Sequence, residues 1–435
     1  MVVTDRTDGV NFYGFDRIEI HTSSGDDIIN VLGTPSSADS SLSNTANTIY
    51  GGVYLNTYAG NDVVTVSSDP AAVAGSLDFV EGDLFIDVGA GLENTLTISD
   101  AGDVDADTGI AIDSYSGPDT TVAATATVVA GLAPGSVTYQ ASSSGQFGGD
   151  INIITGQGND VGTVNYVRAA DLTVLDLNDG SDDLTITSSV TTGFFEVHGR
   201  AGADTIDASA VTNAVGLVLT GGSNDAGSDI LLGGAGDDIL FGDRGEILRD
   251  ATTHAVLSAT SIDLGIGGND LIAGGEGRNL LFGGFGADEI VGFYTDLPWP
   301  FTDLLTGNVT GNDFVLGDNG RVIFKPSTTA GGTTGTVTLI ETTDTDANAY
   351  GDGDTVNVGG GNNVVLGGQG DDTIDGLAGN DIVLGDGGTI IYDDGSTGGT
   401  VGELKTITAV STVHGGDDKV TLTAGHNVVI GGTGA

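Results

Sequence analysis

From Ser228 onward, short apolar runs alternate with Gly-rich turns, and an acidic or amide residue returns every nine positions. Asp229 and Asp238 are nine apart, as are Asp270, Asn279 and Asp288, then Asp354, Asn363, Asp372 and Asp381, and finally Asp418 and Asn427. The clearest copies read GGAGDDILF (233–241), GGFGADEIV (283–291) and GGQGDDTID (367–375), with GLAGNDIVL (376–384) one glycine short. Each predicts a turn followed by a three-residue strand. The residue at position eight, as in Leu240, Ile290 and Ile374, should point inward and its neighbours outward. The tetrapeptides GDRG (242–245), GDNG (317–320) and GDGG (385–388) punctuate these blocks, each followed by a β-type stretch such as RVIF (321–324). Inserts near 246–263, 325–348 and 391–412 read as loops or hairpins on the side of the body.

Residues 1–220 carry a looser unit of two alternating strands joined by a Gly/Asp turn, as in LTVLDLNDGSDDLTITSS (172–189). Ile153, Leu175, Val197 and Leu219 are 22 apart, and Asp160, Asp182 and Asp204 keep the same interval in the turns. FDRIEIHTSSGDD (15–27) aligns with GGDINIITGQGND (148–160), so the segment between, including 99–147, reads as the remainder of one large unit.

Composition sharpens this picture. Seventy-five glycines, 6% aromatics and 17% charged residues argue against a conventional core with a charged shell, while 38% hydrophobic residues argue against disorder. A formal charge of -50 opposes binding to nucleic acid or anionic lipid. It also opposes compaction unless hard cations such as Ca²⁺ neutralise the Asp clusters. Cysteine is absent, which removes disulfides and thiolate metal sites. No apolar run reaches the roughly 18 residues of a membrane span, so no membrane insertion is expected. Residues 1–30 lack the layout of a secretory signal.

Glycine supplies the positive-φ corners a tightly coiled backbone needs, and an Asp closing the turn can join carbonyls in the oxygen shell of Ca²⁺. Asx turns without metal are the alternative, strongest for Asp160, Asp182 and Asp204. The nonapeptides resemble the haemolysin-type calcium-binding repeats of the repeats-in-toxin superfamily, whose pattern is G-G-x-G-x-D-x-U-x with U apolar. The resemblance covers 228–291 and 349–388, and more loosely 413–435. It implies a parallel β-roll with Ca²⁺ between successive turns, type I secretion from a bacterium, and folding after export. Carried over, the ligand role falls on Asp229, Asp238, Asp270, Asp288, Asp354, Asp372 and Asp381. Asp313, Asp418 and the tetrapeptide residues Asp243, Asp318 and Asp386 are added as candidates. Asn279, Asn363 and Asn427 depart from the pattern, since an amide brings no charge. The sequence stops at GGTGA, inside a nonapeptide and without the family's C-terminal export region.

Other candidates are weaker. Trp299, Phe293, Tyr294 and Phe301 cluster in 292–305, a docking patch for surface glycans or proteins or else a cover for the flank. His21, His198, His254, His414 and His426 show no metal spacing and read as surface or turn residues. Arg168, Arg200 and Arg278 fall in separate units, giving no evident uronate-binding cluster of the kind a polysaccharide lyase needs. The expected fold is all-β: an elongated right-handed parallel β-solenoid, with a degenerate β-helix over 1–220 passing into calcium-binding β-roll blocks over 221–320 and 321–435. The expected role is structural or adhesive and not enzymatic, in an extracellular stalk, matrix fibre or surface layer. Copies or flanking modules are expected to meet end to end. The alternative is a calcium-dependent folding or secretion module of a toxin or polysaccharide-active enzyme.

Overall fold

Successive nonapeptides form strands that enter two different parallel sheets. In the computed structural model, Ile230–Leu232, Leu271–Ala273, Glu289–Val291, Thr355–Gly360, Thr373–Ala378 and Lys419–Leu422 stack in one sheet. The other sheet stacks Ile239–Phe241, Leu280–Phe282, Phe314–Leu316, Val364–Gly368, Ile382–Asp386 and Val428–Ile430. One coil therefore takes two nonapeptides, and residues eighteen apart, such as Asp270 and Asp288, become neighbours.

The structure describes residues 17–433 apart from 37–41, 45–46, 50–51, 143, 169–170, 191–193, 223–226, 251–252, 293–310, 326–334, 345–349, 397–399 and 411–413. The described residues contain no helix. They form two compact units, Met1–Asn178 and Asp179–Ala435, and the parallel stacking makes the fold an all-β parallel solenoid.

In the second unit, the central residue of the short strands ahead of the last coil is fully buried, as expected for Leu240, Ile290 and Ile374, whereas Val429 in the last coil is exposed. They continue in register with Leu281 and Val315 in one sheet, and with Ile272 and Val356 in the other. Such aliphatic columns remove apolar surface from water at roughly 25 cal/mol per Å².

The flanking positions differ from expectation. Ile239, Phe241, Leu280, Phe282, Leu366 and Leu384 do not face solvent, because a second core covers them. The cover is the inserts themselves. Gly245–Arg249, Val256–Ser261, Gly320–Lys325, Thr336–Thr342, Gly388–Tyr392 and Leu404–Ala409 pair in that order as one six-stranded antiparallel sheet. Its inward residues, among them Val256, Val322, Phe324, Ile340 and Ile390, pack on the outer side of the parallel sheet. Phe241 and Phe282 stack there with centroids 4.4 Å apart. Segments expected as loops or hairpins on the side of the body thus pair as antiparallel strands and join into a single layer, because each contributes alternating apolar residues that can be buried only against a common face.

The first unit has the same logic with less regular coils. Val63–Val66, Thr95–Ser99, Ile151–Ile154 and Leu172–Asp176 stack in parallel, bringing Val66, Ile98, Ile153 and Leu175 into a fully buried column. The 22-residue step holds from Ile153 to Leu175 but not before Ile153. There the companion sheet takes in the antiparallel strand Thr127–Ala130 between Val137–Gln140 and Thr108–Ser114, lengthening the coil. The aligned segments 15–27 and 148–160 also part company. Arg17–His21 pairs with Gly52–Asn56 in the companion sheet, whereas Ile151–Ile154 lies in the sheet of Thr95–Ser99. Their likeness reflects a shared strand-and-turn grammar, not equivalent places in the coil.

Candidate metal centre

The acidic residue of each nonapeptide stands immediately before a strand, at the corner where the chain passes between sheets. With two nonapeptides per coil, the corners form two columns. In the first, the backbone N–H of each member donates to Oδ1 of the next. The series runs Asp182, Asp204, Asp229, Asp270, Asp288, Asp354, Asp372 and Asp418, at 2.8–3.2 Å. The second column runs Asp238, Asn279, Asp313, Asn363, Asp381 and Asn427, linked in the same way at 2.9–3.1 Å. All three Asn departures fall in this column and separate its acids one from the next. The first column is acidic throughout.

The columns also differ at the second oxygen. Asp238 Oδ2 accepts from the N–H of Gly234 at 2.8 Å, and Asn279 Nδ2 donates to the carbonyl of Gly275 at 3.2 Å. These are turn-closing bonds. In the first column, Oδ2 of Asp288, Asp354, Asp372 and Asp418 is buried and receives no hydrogen bond. Backbone crowds these oxygens closely. A Cβ added at Gly317 would lie 2.2 Å from Oδ2 of Asp354 and 2.2 Å from the carbonyl of Gly367, so the first glycine of the turn is demanded by the carboxylate beside it.

The tetrapeptide acids join the first column. Asp243 accepts from the N–H groups of Gly268 at 3.3 Å and Phe285 at 2.5 Å. Asp318 accepts from Gln369, and Asp386 from the N–H and hydroxyl of Thr433 at 2.5 and 3.0 Å. The remaining Oδ1 of Asp318 and of Asp386 is buried without a donor.

Burial raises Asp243, Asp288, Asp318, Asp354, Asp372 and Asp418, and neighbouring carboxylates add to the effect at all of these but Asp288. Asp243 is pushed up to about 8 with help from Asp288 and Asp229, and Asp372 to about 8 with help from Asp418 and Asp386. Asp288 rises to about 7 by burial, Asp418 to about 6, and Asp318 and Asp354 stand well above the usual carboxylate range. In the second column burial raises Asp238 and Asp313 to about 7.

Buried carboxylate oxygens without donors, stacked beside one another, favour either protons or a cation, since an unpaired buried charge is costly. The donor set is hard oxygen from carboxylates, with backbone carbonyls alongside, which is the chemistry of Ca²⁺. Asp288, Asp318, Asp354, Asp372, Asp386 and Asp418 fit it best, with Asp229, Asp243 and Asp270 in the same group. Asp238, Asp313 and Asp381 stand in the other column.

Sequence reasoning missed one grouping. Arg200 and Arg244 line a groove of about 410 Å³ with Glu196, His198 and Glu246. His198 lies within strand Phe194–Arg200 and bonds Thr220 Oγ1 at 2.8 Å, so it is not a turn residue. Glu196 is held by Arg249 at 2.6 Å. The aromatic segment, apart from Gly292, lies outside the described residues.

The model of the RTX calcium-binding nonapeptide repeat matches residues 224–246, 264–292 and 350–389. No curated protein matches the chain. The nonapeptides are RTX repeats, and the segments that contain them form a calcium-binding β-roll.

Proposed function

We propose that this RTX-repeat chain is a calcium-stiffened, non-catalytic structural segment of an extracellular protein, serving as a stalk, fibre or surface-layer element. The observation that supports the reading is the acid-only column. Oδ2 of Asp288, Asp354, Asp372 and Asp418 is buried without a donor in successive coils, so cations placed there tie each of these coils to the next along the direction in which load would run. Antiparallel flank strands cover the outer side of one sheet and add stiffness. In the groove lined by Arg200 and Arg244, Glu196 is committed to Arg249.

Single-molecule stretching tests the proposal. The expected result is an unfolding force for Asp179–Ala435 that rises with calcium and falls on chelation, together with no release of unsaturated products from uronate polymers. A force indifferent to calcium, or measurable polymer cleavage, would overturn it.

A further inference from the structure

The first unit contains an acidic group that no RTX repeat covers. Strand Thr95–Ser99 ends into DAGDVDAD (100–107), which leads into strand Thr108–Ser114. One carboxylate oxygen from each of Asp100, Asp103 and Asp107 lies within 4.8 Å of the others. Two oxygens bound to one Ca²⁺ at 2.3–2.6 Å stand at most about 5.2 Å apart, so each pair of these oxygens lies within the span of a single ion.

An acidic cluster alone would not suffice. Here the second observation is burial: Asp100 is fully buried, and its Oδ2 receives no hydrogen bond. Its Oδ1 is occupied by the N–H of Leu77 at 2.5 Å. Oδ2 of Asp107 is likewise buried without a donor. Among the described residues, no Lys or Arg forms an ion pair with any of the three.

Asp103 Oδ1 accepts the N–H of Asp105 at 3.0 Å, and further bonds hold the loop without using the two donor-free oxygens. Asp100 N–H donates to Ile154 O at 2.9 Å, and Gln157 N–H donates to Asp103 O at 2.7 Å. Asp107 N–H donates to Asp160 Oδ1 at 2.8 Å. The backbone is therefore fixed while the carboxylates converge, an arrangement ready for an ion of high charge.

We propose that Asp100, Asp103 and Asp107 bind one calcium ion, at a site separate from the RTX repeats. Asp100 supplies the buried anchor, Asp107 the second buried oxygen, and the half-buried Asp103 closes the site. Burial pushes Asp100 up to about 7, with the charges of Asp107 and Asp103 adding, and Asp107 up to about 6, with the charges of Asp160 and Asp103 adding, as expected where a cation or a shared proton is needed.

Hydrogen exchange of the full chain, read peptide by peptide with calcium chloride added to chelated protein, tests this. Calcium is expected to slow exchange over 99–109, and Asp103→Ala to abolish that protection while leaving protection over 264–292 and 350–389 intact. Asp105→Asn, at an exposed neighbour, should behave as the parent. Because the segments are read separately, failure of calcium at the RTX repeats would be seen independently. Unchanged exchange over 99–109 on adding calcium, or equal protection in Asp103→Ala, would overturn the proposal. Either result would leave a proton shared by Asp100 and Asp107.

Discussion

The backbone N–H of Asp270 donates a 2.8 Å hydrogen bond to Oδ1 of Asp288, eighteen residues further along the chain. The carboxylate thereby locks the preceding coil with one oxygen. Its other oxygen, Oδ2, remains buried without a donor. Stability and ion binding are thus coupled through one side chain.

Calcium should accordingly raise the stability of the second unit. Binding to the folded state alone contributes about 2.7 kcal/mol at a hundredfold excess over Kd. Thermal melts followed by far-ultraviolet circular dichroism, in calcium and in chelator, should differ by many degrees. Superimposable melts would count against the column as a calcium site.

Within one repeat the ligand and the core should separate. Asp372→Ala is expected to weaken calcium affinity. Ile374→Ala, which hollows a fully buried position paired with Val356 and Val420, should cost about 2–5 kcal/mol at any calcium level. Calcium titrations of both variants decide; equal rescue by high calcium would contradict the assignment.

A methyl group at Gly317 has no room between Asp354 and Gly367, whereas one at Gly431 meets nothing within 4 Å. Gly317→Ala should therefore lower the midpoint of urea unfolding clearly, and Gly431→Ala should leave it near the parent value. Similar midpoints for the two would show that the corner can relax.

Acid should stabilise the calcium-free form. Asp243, Asp288, Asp372 and Asp418 have folded pKa values raised to about 8, 7, 8 and 6, above their unfolded values near 4. The folded state then holds more protons than the unfolded state, so stability is greatest below pH 4 and is lost as pH rises through 6–8. Saturating calcium should reverse the trend, because the metal requires the deprotonated carboxylates. Urea titrations of the chelated protein at pH 5 and pH 8 should show the higher midpoint at pH 5.

The nine-residue period was readable in the sequence, as were the inward positions Leu240, Ile290 and Ile374. The number of repeats per coil was not, because Asp229 and Asp238 look alike in sequence yet serve opposite columns. Only the Asn residues carried a trace of that difference, at every second place in one column. The flank sheet was missed because Thr and Gly dominate the inserts, although TVTLIET (336–342) alternates as a strand should. Asp100 and Asp107 lie in one short segment that no repeat frames; their burial and anchoring by Leu77, Ile154 and Asp160 come only from coils that the fold brings together.

The spacing between stacked corners has a wider meaning. Asp270 to Asp288 takes eighteen residues, Asp229 to Asp270 forty-one, and Asp288 to Asp354 sixty-six, yet the connecting bond is 2.8 Å in each case. Coil geometry is indifferent to what is threaded between its corners, and each doubling of a flexible excursion costs only about 0.6 kcal/mol. The scaffold can therefore carry cargo. A guest domain whose ends lie close together could be spliced into such an excursion and displayed beside the stack, and lineages could gain or lose such passengers while the lattice that carries them stays in register.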